Sequence, residues 1–116
     1  MQYMLLLYAD ETAGDALPRA EMAAWMEKMS AYGAALEKAG ALVSTGGLGR
    51  TRDARTVSTD KDELKVHNGP YADTQEQLGG YFLIEAANMN EAVAWAGKCP
   101  AAMWGHIEIR EIMYGG

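Results

Sequence analysis

His106 opens the run His106-Ile107-Glu108-Ile109-Arg110, in which polar and apolar residues alternate. A period of two is the mark of a half-buried strand, so His106, Glu108 and Arg110 share the face opposite Ile107 and Ile109. If that face borders a cleft, His106 can serve as acid, base or hydrogen-bond donor, because an imidazole changes charge near neutral pH. A partly exposed histidine on a polar strand face is the plainer alternative. Asp73 and Glu76 lie three residues apart and could share one helical turn, a spacing that lets two carboxylates run acid–base chemistry. They also suit the first turn of a helix capped by Thr74, where negative charge is favourable. Around these three candidate catalytic residues, Gln77, Tyr81 and Tyr8 offer neutral contacts to a ligand, or else ordinary solvent and core positions.

Arg50, Arg52 and Arg55 form the one dense positive patch. An arginine fork suits a carboxylate or phosphate, and Arg55, which enters a strand, is the best placed of the three to meet an anionic group. A solvated loop is the competing reading. Gly46-Gly47-Leu48-Gly49 has neither the spacing nor the following helix of a dinucleotide or phosphate loop, so no cofactor is expected. Cys99 precedes Pro100 just past a helix C-terminus, the wrong end of the helix dipole to activate a thiol, and reads as inert. His67 and His106 have no close ligand spacing, so no metal is expected. Trp104 could wall a pocket beside His106, or simply pack.

The elements that must position these groups follow from periodicity. Gln2 to Tyr8 is apolar at both parities, with Tyr3, Leu5 and Leu7 on one face and Met4, Leu6 and Tyr8 on the other, as in a strand buried on both sides. Ala9 to Leu17 reads as a polar connection, with Asp15 available to cap a helix whose first turn holds Pro18. Met22, Trp25, Met26, Met29, Tyr32 and Leu36 recur at helical spacing up to Ala39, and Gly40 sits where a left-handed residue ends a helix. Ala41 to Thr45 starts a second strand. Arg55 to Thr59 and Glu63 to His67 flank Asp60-Lys61-Asp62 as an exposed polar hairpin. Gly80 to Ala86 is a strand apolar at both parities, and Asn88 with Glu91 is a capping-box pattern for a second helix. His106 to Met113 is the last strand.

This order of strand, helix, strands, helix, strand over residues 1–116 fits a single α+β domain of ferredoxin-like split βαβ type with an antiparallel sheet. Its two central strands would be the two with double-sided apolarity. Both helices would then cover one sheet face, and the other, also apolar, needs a cover, most simply a second copy of the chain. The formal net charge of -6 and pI near 4.8 argue against nucleic-acid and anionic-membrane partners. A single cysteine excludes an intramolecular disulfide and suits a reducing compartment; with no signal peptide or membrane span in evidence, the reading is cytoplasmic.

Asn68-Gly69-Pro70-Tyr71, followed by Glu76-Gln77-Leu78-Gly79-Gly80-Tyr81, resembles the segment that names the DGPF branch of the YCII-related proteins. The opening Tyr3-Met4-Leu5-Leu6 and the tail from Cys99-Pro100 through His106-Ile107-Glu108-Ile109-Arg110 extend the resemblance over nearly the whole chain. It departs at Asn68 for Asp, Tyr71 for Phe, Asp73 for Glu and Gln75 for Lys. The resemblance implies a dimeric α/β barrel in which two sheets face each other. It also implies a functional position at His106, matching the last-strand histidine of a His–Asp pair proposed for relatives. The Asp of that pair falls on Cys99, and another notable His falls near Glu21, so the pair is not intact here. Two functions follow: binding of a small molecule in a dimer-interface cleft, as a binding protein or cofactor-independent enzyme, or a non-catalytic interaction module of the kind linked to sigma factors among relatives.

Overall fold

The computed structural model describes residues 1–115. Four strands build the main sheet: β1 (Gln2–Ala9), β2 (Leu42–Gly47), β5 (Gln77–Glu85) and β6 (His106–Glu111), in the order β2-β5-β1-β6 with every neighbour antiparallel. Strands β3 (Arg55–Asp60) and β4 (Glu63–Asn68) pair only with each other. The helices are α1 (Glu11–Asp15), α2 (Arg19–Lys38) and α3 (Met89–Lys98). The α+β class, the antiparallel sheet and the central places of β1 and β5 agree with the expected ferredoxin-like order.

Double-sided apolarity explains the centre. Tyr3 and Leu5 of β1 and Phe82 and Ile84 of β5 are buried under the helices, joined by Tyr32 and Leu36 of α2 and by Ala92 and Ala96 of α3. Leu5, Leu36 and Ile84 are fully buried, each contributing about 1.5–3 kcal/mol relative to an exposed side chain. Tyr32 stacks edge-on against Phe82 at 5.1 Å and donates its hydroxyl to the Trp95 carbonyl at 2.7 Å, tying α2 to both the sheet and α3. Burial and that apolar wall push the Tyr32 phenol well above its usual range.

The molecule measures 47 × 40 × 18 Å, the thickness of one helix layer on one sheet. Its radius of gyration is 16.0 Å, against about 13 Å expected for a compact domain of this length. The excess is the β3–β4 arm, whose residues are almost all exposed. Lys61 and Asp62 both take positive φ at its tip, as a tight two-residue hairpin turn requires.

Several local expectations change. The connection after β1 contains α1, because Asp10 caps it by accepting from the amides of Thr12 and Ala13. Asp15 therefore ends α1 and caps nothing; α2 begins after Pro18 with no side-chain cap. No helix forms at Asp73 to Glu76. Thr74 donates to the Glu76 carbonyl within a loop, and β5 begins at Gln77, three residues earlier than the pattern suggests. The expected capping box at α3 is rearranged: Asn88 accepts from the Glu91 amide at 2.9 Å, while Glu91 Oε2 accepts from Ala87 rather than from Asn88. Gly40 adopts φ 71° as expected of a helix terminator.

Candidate functional site

The first residue of β6 and the last before β5 meet at one end of the sheet. His106 Nδ1 lies 2.7 Å from Glu76 Oε1. Strand β1 runs between their strands, and Tyr8 is paired with His106 on one side and Leu78 on the other. The β1–β5 register slips between Leu7 and Tyr8, a bulge of the kind that re-aims side chains at the end of a ladder. Gly105 allows the approach, because its backbone presses directly on the Tyr8 carbonyl. By register, His106, Glu108 and Arg110 share the helix-free face with Met4, Leu6, Tyr8, Tyr81 and Leu83. Those apolar residues are only partly buried, and among the described residues no helix or second sheet lies over them.

Of the other candidates, Gln77 is the best connected. Its Oε1 accepts from the Glu11 amide at 2.9 Å and its Nε2 donates to the Thr74 carbonyl at 2.7 Å, so it fastens the loop bearing Glu76 to α1. Gln77 thus positions Glu76. Tyr81 shares a 3.3 Å hydrogen bond with Ser44 on the same open face. Asp73 stands exposed in the loop. Arg55 donates to the carbonyls of Asp53 and Ala54 at 3.2 and 2.9 Å, folding back on its own loop.

Arg50, expected in a solvated patch, is drawn inward. It grips Asp15 through two hydrogen bonds of 2.5 Å, which hold the Asp15 carboxyl below the usual aspartate range and raise the arginine. Beside it, Glu11 accepts from the amide and hydroxyl of Thr51 at 3.1 and 2.8 Å. The connection between β2 and β3 is so stitched to both ends of α1.

Beneath the middle and C-terminal part of α2 the sheet end is hollow. A cavity of about 670 Å³ lies between Met26, Met29, Ser30 and Gly33 of α2 and Leu7, Gly47, Gly80 and Phe82 of the sheet. A second, of about 460 Å³, opens between α1, Met22, Trp25, Gln77 and Arg50. Met26, Gly79, Ala9 and Trp104 line both. Trp104 meets Trp25 edge-to-face with ring centroids 4.2 Å apart. The buried residues of α2, Tyr32 and Leu36, are both in its C-terminal half, interleaved with Met29, Ser30 and Gly33, which roof the larger cavity. Sequence reasoning missed this cavity; the signal for it was the glycine pairs at 46–47 and 79–80. Among the described residues no metal-holding group of His, Cys, Asp and Glu occurs, and no helix is long and apolar enough to cross a membrane.

An antiparallel α+β sheet in split βαβ order, with a polar pair at its end, defines the class, and the chain belongs to the family of the YCII-related domain, whose model matches residues 1–114. An uncharacterized protein of Rhizobium meliloti (strain 1021) is 35% identical over 96 residues, covering 83% of this chain and 77% of that one. Among solved structures, the fold is similar to that of 5-chloro-2-hydroxyhydroquinone dehydrochlorinase from Burkholderia phenoliruptrix AC1100, in its complex with 2,5-dihydroxybenzoquinone. The TM-score is 0.52 at 13% identity, over 99% of this chain and 96% of that one.

Proposed function

We propose that the protein binds a small organic molecule in a cleft closed by a second copy of the chain, with the His106–Glu76 pair as its polar end. The observation that carries this reading is the 2.7 Å pairing of His106 with Glu76 at the margin of a sheet face whose Met4, Leu6, Tyr8, Tyr81 and Leu83 no helix or second sheet covers among the described residues. A half-apolar sheet face is stable in water only when something packs on it, and a self-complementary homodimer is the commonest solution. In such a cleft His106, oriented by Glu76, is the group able to exchange a proton with a bound ligand. Tyr8 and Tyr81 supply hydroxyls, and Asp73 and Arg55 come from loops that a partner or ligand can draw in. A cofactor-independent enzyme of this kind is supported by the similar fold of a dehydrochlorinase crystallised with a dihydroxybenzoquinone. The Asn68-Gly69-Pro70-Tyr71 segment supports membership of the DGPF branch, and the single buried cysteine supports a cytoplasmic setting.

Native mass spectrometry of freshly purified protein tests the reading. A dimer carrying extra mass is the expected result; a monomer at micromolar concentration sinks the shared cleft. The arm motivates a second reading. Val57 pairs with Val66, and both are more than half exposed, as is Leu64. Such an apolar strip on a projecting hairpin suits a protein partner, and therefore a non-catalytic interaction module. Val66→Lys should then abolish partner association while leaving small-molecule binding intact, and the reverse outcome rejects the module.

A further inference from the structure

Five glycines line the larger cavity: Gly33 in α2, Gly46 and Gly47 in β2, and Gly79 and Gly80 in β5. Two of them answer to local crowding. A Cβ at Gly46 would meet the Tyr81 ring at 2.9 Å, and one at Gly80 would meet the Gly46 carbonyl oxygen at 3.0 Å. The other three do not. A Cβ at Gly33 would rest 3.8 Å from the Phe82 ring, an ordinary contact, and at Gly47 and Gly79 it would find nothing within 4 Å. Nor does backbone conformation ask for glycine there, since the glycines with positive φ are Gly40, Gly69 and Gly115. Glycine in a helix or strand interior is destabilising relative to alanine. Gly33, inside α2, therefore forgoes stability at a position where a methyl group would fit, and Gly47, the last residue of β2, and Gly79, the extra residue of the β5 bulge, leave the same space open.

We infer that this space is a binding site for a flat, uncharged aromatic molecule, seated between the stretch of α2 from Met26 to Glu37 and the glycine-lined end of the sheet. The walls are apolar and polarisable: Met26, Met29, Phe82 and Trp104 can contact an aromatic ring on its faces and edges. Ser30 supplies a hydroxyl to orient a polar substituent, and Thr45, whose hydroxyl donates to the Tyr81 carbonyl at 2.9 Å, can still accept. Charge excludes the anionic alternatives. Among the described residues the one cation lining either cavity is Arg50, whose two terminal nitrogens are held by the Asp15 carboxylate. Asp10, Glu11 and Glu21 at the smaller cavity and Glu37 at the larger add negative charge. The site requires neither the second copy nor the His106–Glu76 pair, and so goes beyond the cleft proposed above.

The test uses N-phenyl-1-naphthylamine, a neutral aromatic probe whose emission rises in apolar surroundings, titrated into the full chain. Uptake of about one probe per chain is expected, with quenching of tryptophan emission through Trp25 and Trp104. Gly33→Leu fills the space and should weaken uptake by about tenfold or more. Should that variant fold poorly, Gly33→Ala serves: it should raise the thermal midpoint by a few degrees while weakening the probe. Leu6→Gln, on the open sheet face, should leave uptake unchanged. The sulfonated analogue 1-anilinonaphthalene-8-sulfonate should bind at least about tenfold more weakly. The inference is overturned by absence of uptake, by uptake that survives both Gly33 variants, by loss of uptake in Leu6→Gln, or by equal affinity for the two probes.

Discussion

His106 and Glu76 hold each other at 2.7 Å across 30 residues of chain, yet the histidine side chain is 83% exposed and the glutamate 30%. A side-chain contact so open to water adds little to stability, because water competes for both partners and two side chains must be ordered to form it. Its removal is therefore a clean probe of function. His106→Ala should leave the oligomer intact and the thermal midpoint within about 3 °C of the parent. It should also abolish the thermal shift produced by any ligand recovered from the native protein. Differential scanning fluorimetry reads both numbers, and a ligand shift that persists in His106→Ala removes the histidine from the site.

The Arg50–Asp15 contact carries a pH signature. Hydrogen bonding to Arg50, and then its charge, hold the folded Asp15 carboxyl below the ordinary aspartate value of about 3.9 that the unfolded chain has. A depressed folded value means that the stabilisation is fully present above that unfolded value and is lost as the pH falls through the folded one. Asp15→Asn should accordingly lower the thermal midpoint at pH 7, and the gap to the parent should narrow steadily on acidification below pH 4 or so. A gap constant from pH 7 to pH 3 would show that the carboxylate charge plays no part.

Cys99 is 1% exposed, packed where α3 ends. Burial raises its thiol above the ordinary value, with a partial offset from the Ala101 backbone. The native thiol should resist a neutral alkylating reagent and react stoichiometrically once the chain is unfolded, as counted by mass. Cys99→Ser should cost about 1–3 kcal/mol in urea unfolding, since a hydroxyl in that setting loses water without gaining a partner. Rapid native labelling would contradict the inert reading.

Legibility in the sequence tracked the range of the interaction. Tyr3, Leu5, Phe82 and Ile84 announce their faces by period alone, because a strand's side chains alternate whatever its neighbours are, and with the helical stripe of α2 they were enough for the strand order. The His106–Glu76 contact was not legible as a pair. Spacing groups Glu76 with Asp73 on a helical turn, a local preference that yields to the β5 ladder and to Gln77, whose two hydrogen bonds pin the loop from α1. Asp15 misled in the same way: it looks like a cap to the helix that follows, but its partner is Arg50, 35 residues on. The cavity was hidden for a different reason. Glycines in a strand advertise a bend or a close approach, and only their placement opposite Gly33 reveals an absent volume.

Gly105 and Gly97 make opposite predictions from one substitution. A Cβ at Gly105 would lie 2.0 Å from the Tyr8 carbonyl oxygen, 3.0 Å from its carbonyl carbon and 3.2 Å from Ala9 Cα. All three are backbone atoms of β1, a central strand bonded on both sides, so neither partner can yield without disturbing the ladders to β5 and β6. Gly105→Ala should therefore destabilise by at least about 1–3 kcal/mol, the usual cost of forcing extra volume into a packed region. Because Trp104 is its neighbour, tryptophan emission should shift with it. Gly97 sits in α3 with nothing within 4 Å of the same construction, and Gly97→Ala should stabilise by roughly 0.5–1 kcal/mol through helix propensity alone. Guanidinium unfolding of both variants decides the matter: midpoints that move in the same direction would mean that the contact between Gly105 and Tyr8 does not set the end of β6, and with it the place of His106.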